Sequence, residues 1–296
     1  MAAENGLRAR LAALPPLRQV ARRHGIEARR ALGQNFLFDL NVTRRIVRQA
    51  GIEAGAVIYE VGPGIGALTR ALLETGPARL VVVEKDNRCL PALAELQQLA
   101  DGRLEIIEGD ALGIDEGGLF PGGGARVVAN LPYNIASPLL AKWLSGDRSP
   151  AFFRSLTLMF QREVAERIVA APGSRDYGRL SVLAQWRTDP RLLFHLSPRA
   201  FIPPPKVSSS VVDLRPAERG GGDIAARHLQ AVTAAAFGQR RKMLRRALKS
   251  LWTTPEAVLT ELGIDPTRRA EELDMDAFFR LARRFAADQE SPGIKS

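Results

Sequence analysis

Four short apolar runs, separated by stretches with helical spacing, restrict this chain more than any other feature. They are Ala56-Val57-Ile58-Tyr59-Glu60-Val61, Leu80-Val81-Val82-Val83, Leu104-Glu105-Ile106-Ile107 and Arg126-Val127-Val128-Ala129. Near-continuous β-branched runs of this length suit strands buried on both faces. The helical stretches between them, residues 67–73 and 90–99, supply the crossovers of a parallel sheet. The pattern predicts a doubly wound α/β domain. It extends through expected strands at 156–160, 181–186 and 207–214, with a helix at 162–169. A linker with three consecutive glycines follows at 217–223. Beyond it every segment reads as helix: 226–236, 242–251, 255–262 and 275–286. The expected organisation is a basic extension at 1–30, the α/β domain at 31–216 and a small all-α domain at 224–296.

The first of the four strands runs into Gly62-Pro63-Gly64-Ile65-Gly66 and then a helix. Glycines there let the backbone pass close under a ligand that faces the helix N-terminus. Alone, this loop is also compatible with dinucleotide binding, because Gly62, Gly64 and Ala67 fit that fingerprint and Glu84 follows at about the expected distance. The next strand ends discriminate. Glu84 closes the second strand with a carboxylate suited to two ribose hydroxyls. Asp110 closes the third and can accept from an adenine amino group. Together they describe a nucleoside pocket with no provision for a pyrophosphate, as S-adenosylmethionine requires.

The fourth strand ends in Asn130-Leu131-Pro132-Tyr133. An adenine N6 is a poor nucleophile because its lone pair is delocalised into the ring. Accepting hydrogen bonds from its N–H groups improves it. The Asn130 amide oxygen supplies one acceptor and the carbonyl of Leu131 or Pro132 the other. Tyr133 is placed to stack on a flipped base.

Charge points to the class of substrate. The chain has 296 residues with 42 basic and 32 acidic side chains, a net charge of +10. Residues 31–150 are acidic overall, with 11 basic and 14 acidic groups, whereas the first 30 residues carry 7 basic and 2 acidic ones. An acidic block flanked by basic segments suits a polyanionic partner, with nucleic acid foremost. Near the C-terminus, a helix expected over 235–251 carries Arg240, Arg241, Lys242, Arg245, Arg246 and Lys249. Arg241, Arg245 and Lys249 lie four apart and are expected to form one phosphate-contacting stripe. Cys89 is the only cysteine, which excludes a disulfide framework and a cysteine-ligated metal site, and no metal site is read. No apolar run approaches the roughly 18–20 residues of a membrane span. The Arg-rich start is similar to a transit peptide, but Pro15-Pro16 breaks its amphipathic pattern and it lacks Ser. A cytoplasmic location is expected, with an organelle matrix as the alternative.

The chain resembles the KsgA-type family of ribosomal small-subunit (16S) rRNA adenine N6-dimethyltransferases, which is similar to the erythromycin-resistance methyltransferases and the mitochondrial transcription factor B proteins. The resemblance rests on Leu32-Gly33-Gln34-Asn35-Phe36-Leu37, Glu60-Val61-Gly62-Pro63-Gly64-Ile65-Gly66, Val83-Glu84-Lys85-Asp86 and Glu108-Gly109-Asp110-Ala111. Asn130-Leu131-Pro132-Tyr133 and Phe201-Ile202-Pro203-Pro204-Pro205-Lys206-Val207 complete the set, in family order. It implies a Rossmann-like class I S-adenosylmethionine-dependent methyltransferase sheet. In that family Gln34, Asn35 and Leu37 would close over the cofactor, and Gly62 would lie beneath its methionine moiety, with Gly64 in the same loop. Glu84 would hold the ribose and Asp110 the adenine. Asn130 would sit between cofactor and target, and Phe201 would sandwich the target base with Tyr133. The implied reaction is dimethylation of two adjacent adenosines in the 3′-terminal hairpin loop of 16S rRNA. The implied partner is small-subunit rRNA within a pre-30S particle, met by a monomer with no membrane and no obligate protein partner. A nicotinamide-dependent reductase shares only the glycine loop. A non-catalytic nucleic-acid binder does not need the complete cofactor motifs. The N-terminal and Phe201–Val207 segments favour small-subunit over large-subunit RNA.

Overall fold

The computed structural model describes residues 2–29, 33–146, 152–218 and 220–290. Leu32, the first residue of the Leu32–Leu37 motif, lies outside them. Among the described residues nine strands run in chain order as β1 (Phe36–Leu37), β2 (Val57–Val61), β3 (Arg79–Glu84), β4 (Leu104–Glu108), β5 (Ala125–Ala129), β6 (Phe153–Gln161), β7 (Thr188–Leu196), β8 (Phe201–Ile202) and β9 (Ser209–Pro216). Seven form one sheet in the order β4-β3-β2-β5-β6-β9-β7, and β1 pairs with β8 in a separate two-stranded sheet. β2 to β6 are parallel to one another, and β9 lies antiparallel to β6. Three of the four apolar runs, β2, β3 and β5, lie inside the sheet, where Ile58, Tyr59, Leu80, Val81, Val82, Val127 and Val128 have no exposed surface, and the fourth, β4, is an edge strand that is only partly buried.

The chain packs as two compact units. The first holds Met1–Lys142, Arg148–Ala165 and Arg191–Arg215, and the second Trp143–Asp147, Glu166–Pro190 and Pro216–Ser296. The expected 31–216 domain includes residues 166–190, but these share a core with the C-terminal helices. Tyr177, Val182 and Trp186 are buried with Leu229, Leu248, Phe278 and Phe279, and the Trp186 indole N–H donates to the Gly221 carbonyl at 2.8 Å.

Three local expectations are corrected. Residues 181–186 are not a strand; they belong to a helix, Arg179–Arg187. Val182 is the only β-branched residue in Arg-Leu-Ser-Val-Leu-Ala-Gln-Trp-Arg, and Leu, Ala, Gln and Arg all favour helix. The strand expected over 207–214 starts at Ser209. No continuous helix spans 235–251: one ends at Gly238, and the next runs only over Leu244–Ala247 before a 3₁₀ turn at Leu248–Ser250. Arg241 and Lys242 thus sit on a turn, closed by the Lys242 amide donating to the Gln239 carbonyl at 2.8 Å. The stripe expected from four-residue spacing is not formed, because the helical register restarts at Met243.

The N-terminal extension is part of the first unit. Leu7 and Leu11 enter its main core, and Leu17, Val20 and Ile26 pack with Ile65, Cys89 and Ala92. No helix among the described residues is long and apolar enough to cross a membrane.

Candidate functional site

The strand order reverses direction at β2, whose neighbours β3 and β5 lead to opposite edges of the sheet. Open α/β sheets form a crevice outside the carboxyl ends of their strands at such a point. A cleft lies there. It is lined by Gly33–Leu37, by the loop from Glu60 to Ile65, by Val83–Asp86, by Gly109–Ala111 and by Asn130–Ile135. The structure therefore gathers Gln34, Asn35, Leu37, Gly62, Gly64, Glu84, Asp110, Asn130, Leu131, Pro132 and Tyr133 around one space.

The glycine loop is shaped by close approach. Gly64 has φ of 56°, and a Cβ there would meet the Phe36 ring at 3.0 Å; Gly66 has φ of 85°, and its Cβ would meet Leu96 at 2.3 Å. Only glycine holds this path without strain. The Gly64 amide donates to Glu84 Oε2 at 2.8 Å, and the Asp86 amide donates to Glu84 Oε1 at 2.7 Å. Glu84 thus joins the loop after β2 to the loop after β3. Burial pushes its carboxyl up from the ordinary range, and these backbone amides oppose that rise.

Asp110 behaves differently because it is open to solvent. Lys85 Nζ donates to its Oδ2 at 2.8 Å and the Leu112 amide to its Oδ1 at 3.0 Å, and both hold its carboxyl below the ordinary range. Lys142 Nζ steadies the same loop by donating to the carbonyls of Ala111 and Ile114 at 2.9 and 2.5 Å.

At the end of β5 the two candidate carbonyls separate. The Pro132 carbonyl accepts from the amides of Ile135 and Ala136, both at 3.1 Å, as the helix Tyr133–Ser145 begins. The Leu131 carbonyl receives no backbone amide among the described residues. The Tyr133 hydroxyl shares a 2.6 Å hydrogen bond with Ser209 Oγ at the start of β9, which fixes the ring, and burial pushes its pKa up.

Phe201 is corrected. It does not line the cleft and is 1% exposed, packed in the core with Leu37 and Val211. In β8 side chains alternate, so Phe201 points inward, opposite Leu37, and Ile202 faces outward.

Two further acidic residues, not expected as site candidates, line the cleft. Glu60 is 1% exposed and accepts from Thr69 Oγ1 at 2.7 Å. Burial, with Glu84 nearby, pushes its carboxyl up to about 8 against that hydrogen bond. The Asp86 carboxylate accepts from the side chains of two residues, Gln34 and Arg88. Both belong to motifs already singled out, and the signal was an acid two residues from an assigned one.

The sheet order, the antiparallel β9, the glycine loop after β2 and the carboxylates ending β3 and following β4 define a class I methyltransferase. The chain belongs to the ribosomal RNA adenine dimethylase family, whose profile matches residues 25–287; its activity is the S-adenosylmethionine-dependent methylation of rRNA adenine. A relative from Xanthobacter autotrophicus, called ribosomal RNA small subunit methyltransferase A, is 59% identical over 273 residues, 92% of this chain and 94% of the relative. The crystal structure of a dimethyladenosine transferase from Plasmodium falciparum is similar with a TM-score of 0.72 and 26% identity, covering 85% of this chain and 97% of that one. The 23S rRNA methyltransferase ErmE shares the fold, with a TM-score of 0.62 at 23% identity over 85% of this chain and all of that one.

Proposed function

We propose that this chain dimethylates N6 of two adjacent adenosines in the 3′-terminal hairpin loop of 16S rRNA. It acts as a monomer on a pre-30S particle in the cytoplasm. The small-subunit target follows the names of the relatives. The observation that carries the chemistry is the position of Asn130-Leu131-Pro132-Tyr133 on the same cleft as Glu84 and Asp110.

The residues present fit S-adenosylmethionine. A carboxylate offers about four acceptor directions. Glu84 has two hydrogen bonds from the amides of Gly64 and Asp86, so acceptor capacity remains for ribose hydroxyls. Asp110 is partly exposed and can take an adenine amino group. Gln34, Asn35 and Leu37 bound the cleft from the N-terminal side, and Gly62 and Gly64 leave room for the methionine moiety. When bound, the cofactor supplies an electrophilic methyl group.

The protein's part is to hold the target amine. The Asn130 amide oxygen accepts one N6 hydrogen. The Leu131 carbonyl accepts the other, since the Pro132 carbonyl is occupied by the helix start. Both draw the lone pair out of conjugation, so no side chain must remove a proton first. Tyr133, anchored by Ser209, stacks on the base. The phosphates meet the exposed basic groups Arg241, Lys242, Arg246 and Lys249, with Arg240 and Arg245 beside them.

Transfer of tritiated methyl groups to unmodified small subunits, with large subunits as control, tests the substrate. Labelling of the large subunit alone refutes it. In single-turnover assays Asn130→Ala should slow transfer by about 10²-fold or more, the cost of removing one positioned hydrogen-bonding group from a transition state. Particle binding should persist. A wild-type rate removes Asn130 from the mechanism.

A further inference from the structure

Asp86 lines the cleft, yet the proposed function gives it no task. Its side chain is 2% exposed. Oδ2 accepts from Gln34 Nε2 at 2.8 Å and from Arg88 Nη2 at 2.6 Å, while Oδ1 accepts from Arg88 Nε at 2.8 Å and from the Arg88 amide at 3.3 Å. Four N–H donors fill the acceptor directions of one carboxylate. Asp86 therefore has no capacity left for a ligand, unlike Glu84. Its connections run outward instead. Arg88 Nη1 donates to the Glu27 carbonyl at 3.2 Å, and Gln34 Oε1 accepts from the Arg29 amide at 3.0 Å. The Asp86 amide reaches back to Glu84 at 2.7 Å.

We infer that Asp86 and Arg88 are positioning residues, a part-buried clasp that holds the Gln34 side chain on the cleft wall in register with Glu84. The clasp joins the N-terminal extension to cofactor affinity through side chains that do not touch the cofactor. It rests on the reading that Gln34 faces the cofactor. Burial alone would raise the Asp86 carboxyl, but the hydrogen bonds from Arg88 and Gln34 outweigh it and hold the group below the ordinary range, so it is ionised. A charged acceptor gives short, directional bonds to the Gln34 amide and the Arg88 fork.

The test uses the full chain with Gln34→Ala, Asp86→Asn, Arg88→Met and the double variant Gln34→Ala/Asp86→Asn. Calorimetry gives the S-adenosylmethionine dissociation constant, steady-state assays on unmodified small subunits separate KM from kcat, and melting curves report folding. Asp86→Asn and Arg88→Met should each weaken cofactor binding about tenfold, raise KM for the cofactor and leave kcat at saturation within about twofold. The double variant should bind no more weakly than its weaker single variant, because Asp86 acts through Gln34. Additive losses, or equal falls in kcat and melting temperature without a KM effect, overturn the clasp. Unchanged cofactor affinity in both Asp86→Asn and Arg88→Met, beside a loss in Gln34→Ala, overturns it and leaves the Gln34 assignment standing. No effect of Gln34→Ala removes the underlying reading, and the clasp with it.

Discussion

The two basic ends of this chain look alike in sequence and use their charge in opposite ways. In the N-terminal extension Arg8 Nε donates to the Glu74 carbonyl at 2.8 Å, and Arg10 Nη2 donates to the Leu99 carbonyl at 3.0 Å. Those carbonyls stand at the C-terminal ends of the helices Ala67–Leu73 and Leu90–Leu99, where unsatisfied acceptors and the helix dipole favour a cation. Arg10 also pairs with Asp101, and Arg23 and His24 with Glu95. In the segment after Gly238, Arg240 pairs with Glu271 and Arg245 with Glu256. Arg241, Lys242, Arg246 and Lys249 are exposed, and none has an ion pair among the described residues. Net charge locates basic segments; the partners decide which of them is open to a polyanion.

The comparison is broken most decisively by RNA binding. Replacing Arg241, Lys242, Arg246 and Lys249 with Ala should weaken binding to unmodified small subunits. It should also flatten the salt dependence by about one unit of log–log slope per lost phosphate contact. Cofactor affinity should remain at the wild-type level. Arg245→Ala should shift the slope less, because its guanidinium already faces Glu256 at 3.5 Å. Titrations across a salt series check both. An unchanged slope in the quadruple variant would show that this segment does not carry the phosphate contacts.

How much of this was legible beforehand depends on the range of the interaction involved. The placing of Glu84, Asp110 and Asn130 at strand ends was readable because each ends an unmistakable apolar run or follows one within three residues, and the sheet then brings those ends together. Phe201 was not, since a two-residue strand is too short for its alternation to show, and only the pairing with β1 turns the ring inward. The segment 179–187 is ambiguous by pattern, and its companions Leu229 and Phe278 lie far along the chain. The basic stripe failed for a local reason: Gly238 ends a helix that four-residue spacing alone would continue. The clasp at Asp86 was only partly readable: Arg88 is two residues away, but it is the fold that brings Gln34 and Glu27 to the pair.

A second, smaller effect separates the two ends by stability. Leu11 is 5% exposed and packs in the main core of the first unit. Leu11→Ala should lower unfolding free energy by about 2–5 kcal/mol through lost burial and the cavity left behind. It should leave the salt slope of RNA binding intact. Denaturant titration of the full chain measures the first and the salt series the second. A stability within about 0.5 kcal/mol of wild type would mean the extension is only loosely attached.

The smallest expected effect is the most discriminating for charge. Arg10→Ala removes a pair in which both side chains are more than two-fifths exposed. Solvent screening limits such a pair to about 1 kcal/mol or less. The hydrogen bond to the Leu99 carbonyl adds a modest contribution at a helix end that water can also satisfy. Stability should therefore fall slightly, and the fall should shrink at high salt as the attraction to Asp101 is screened. RNA affinity and its salt slope should not change, because the guanidinium already faces a carbonyl and a carboxylate. If Arg10→Ala instead flattened the salt dependence by about one unit, the arginine would have to leave Asp101 for a phosphate. The two basic ends would then share one role, and the contrast between them would fail.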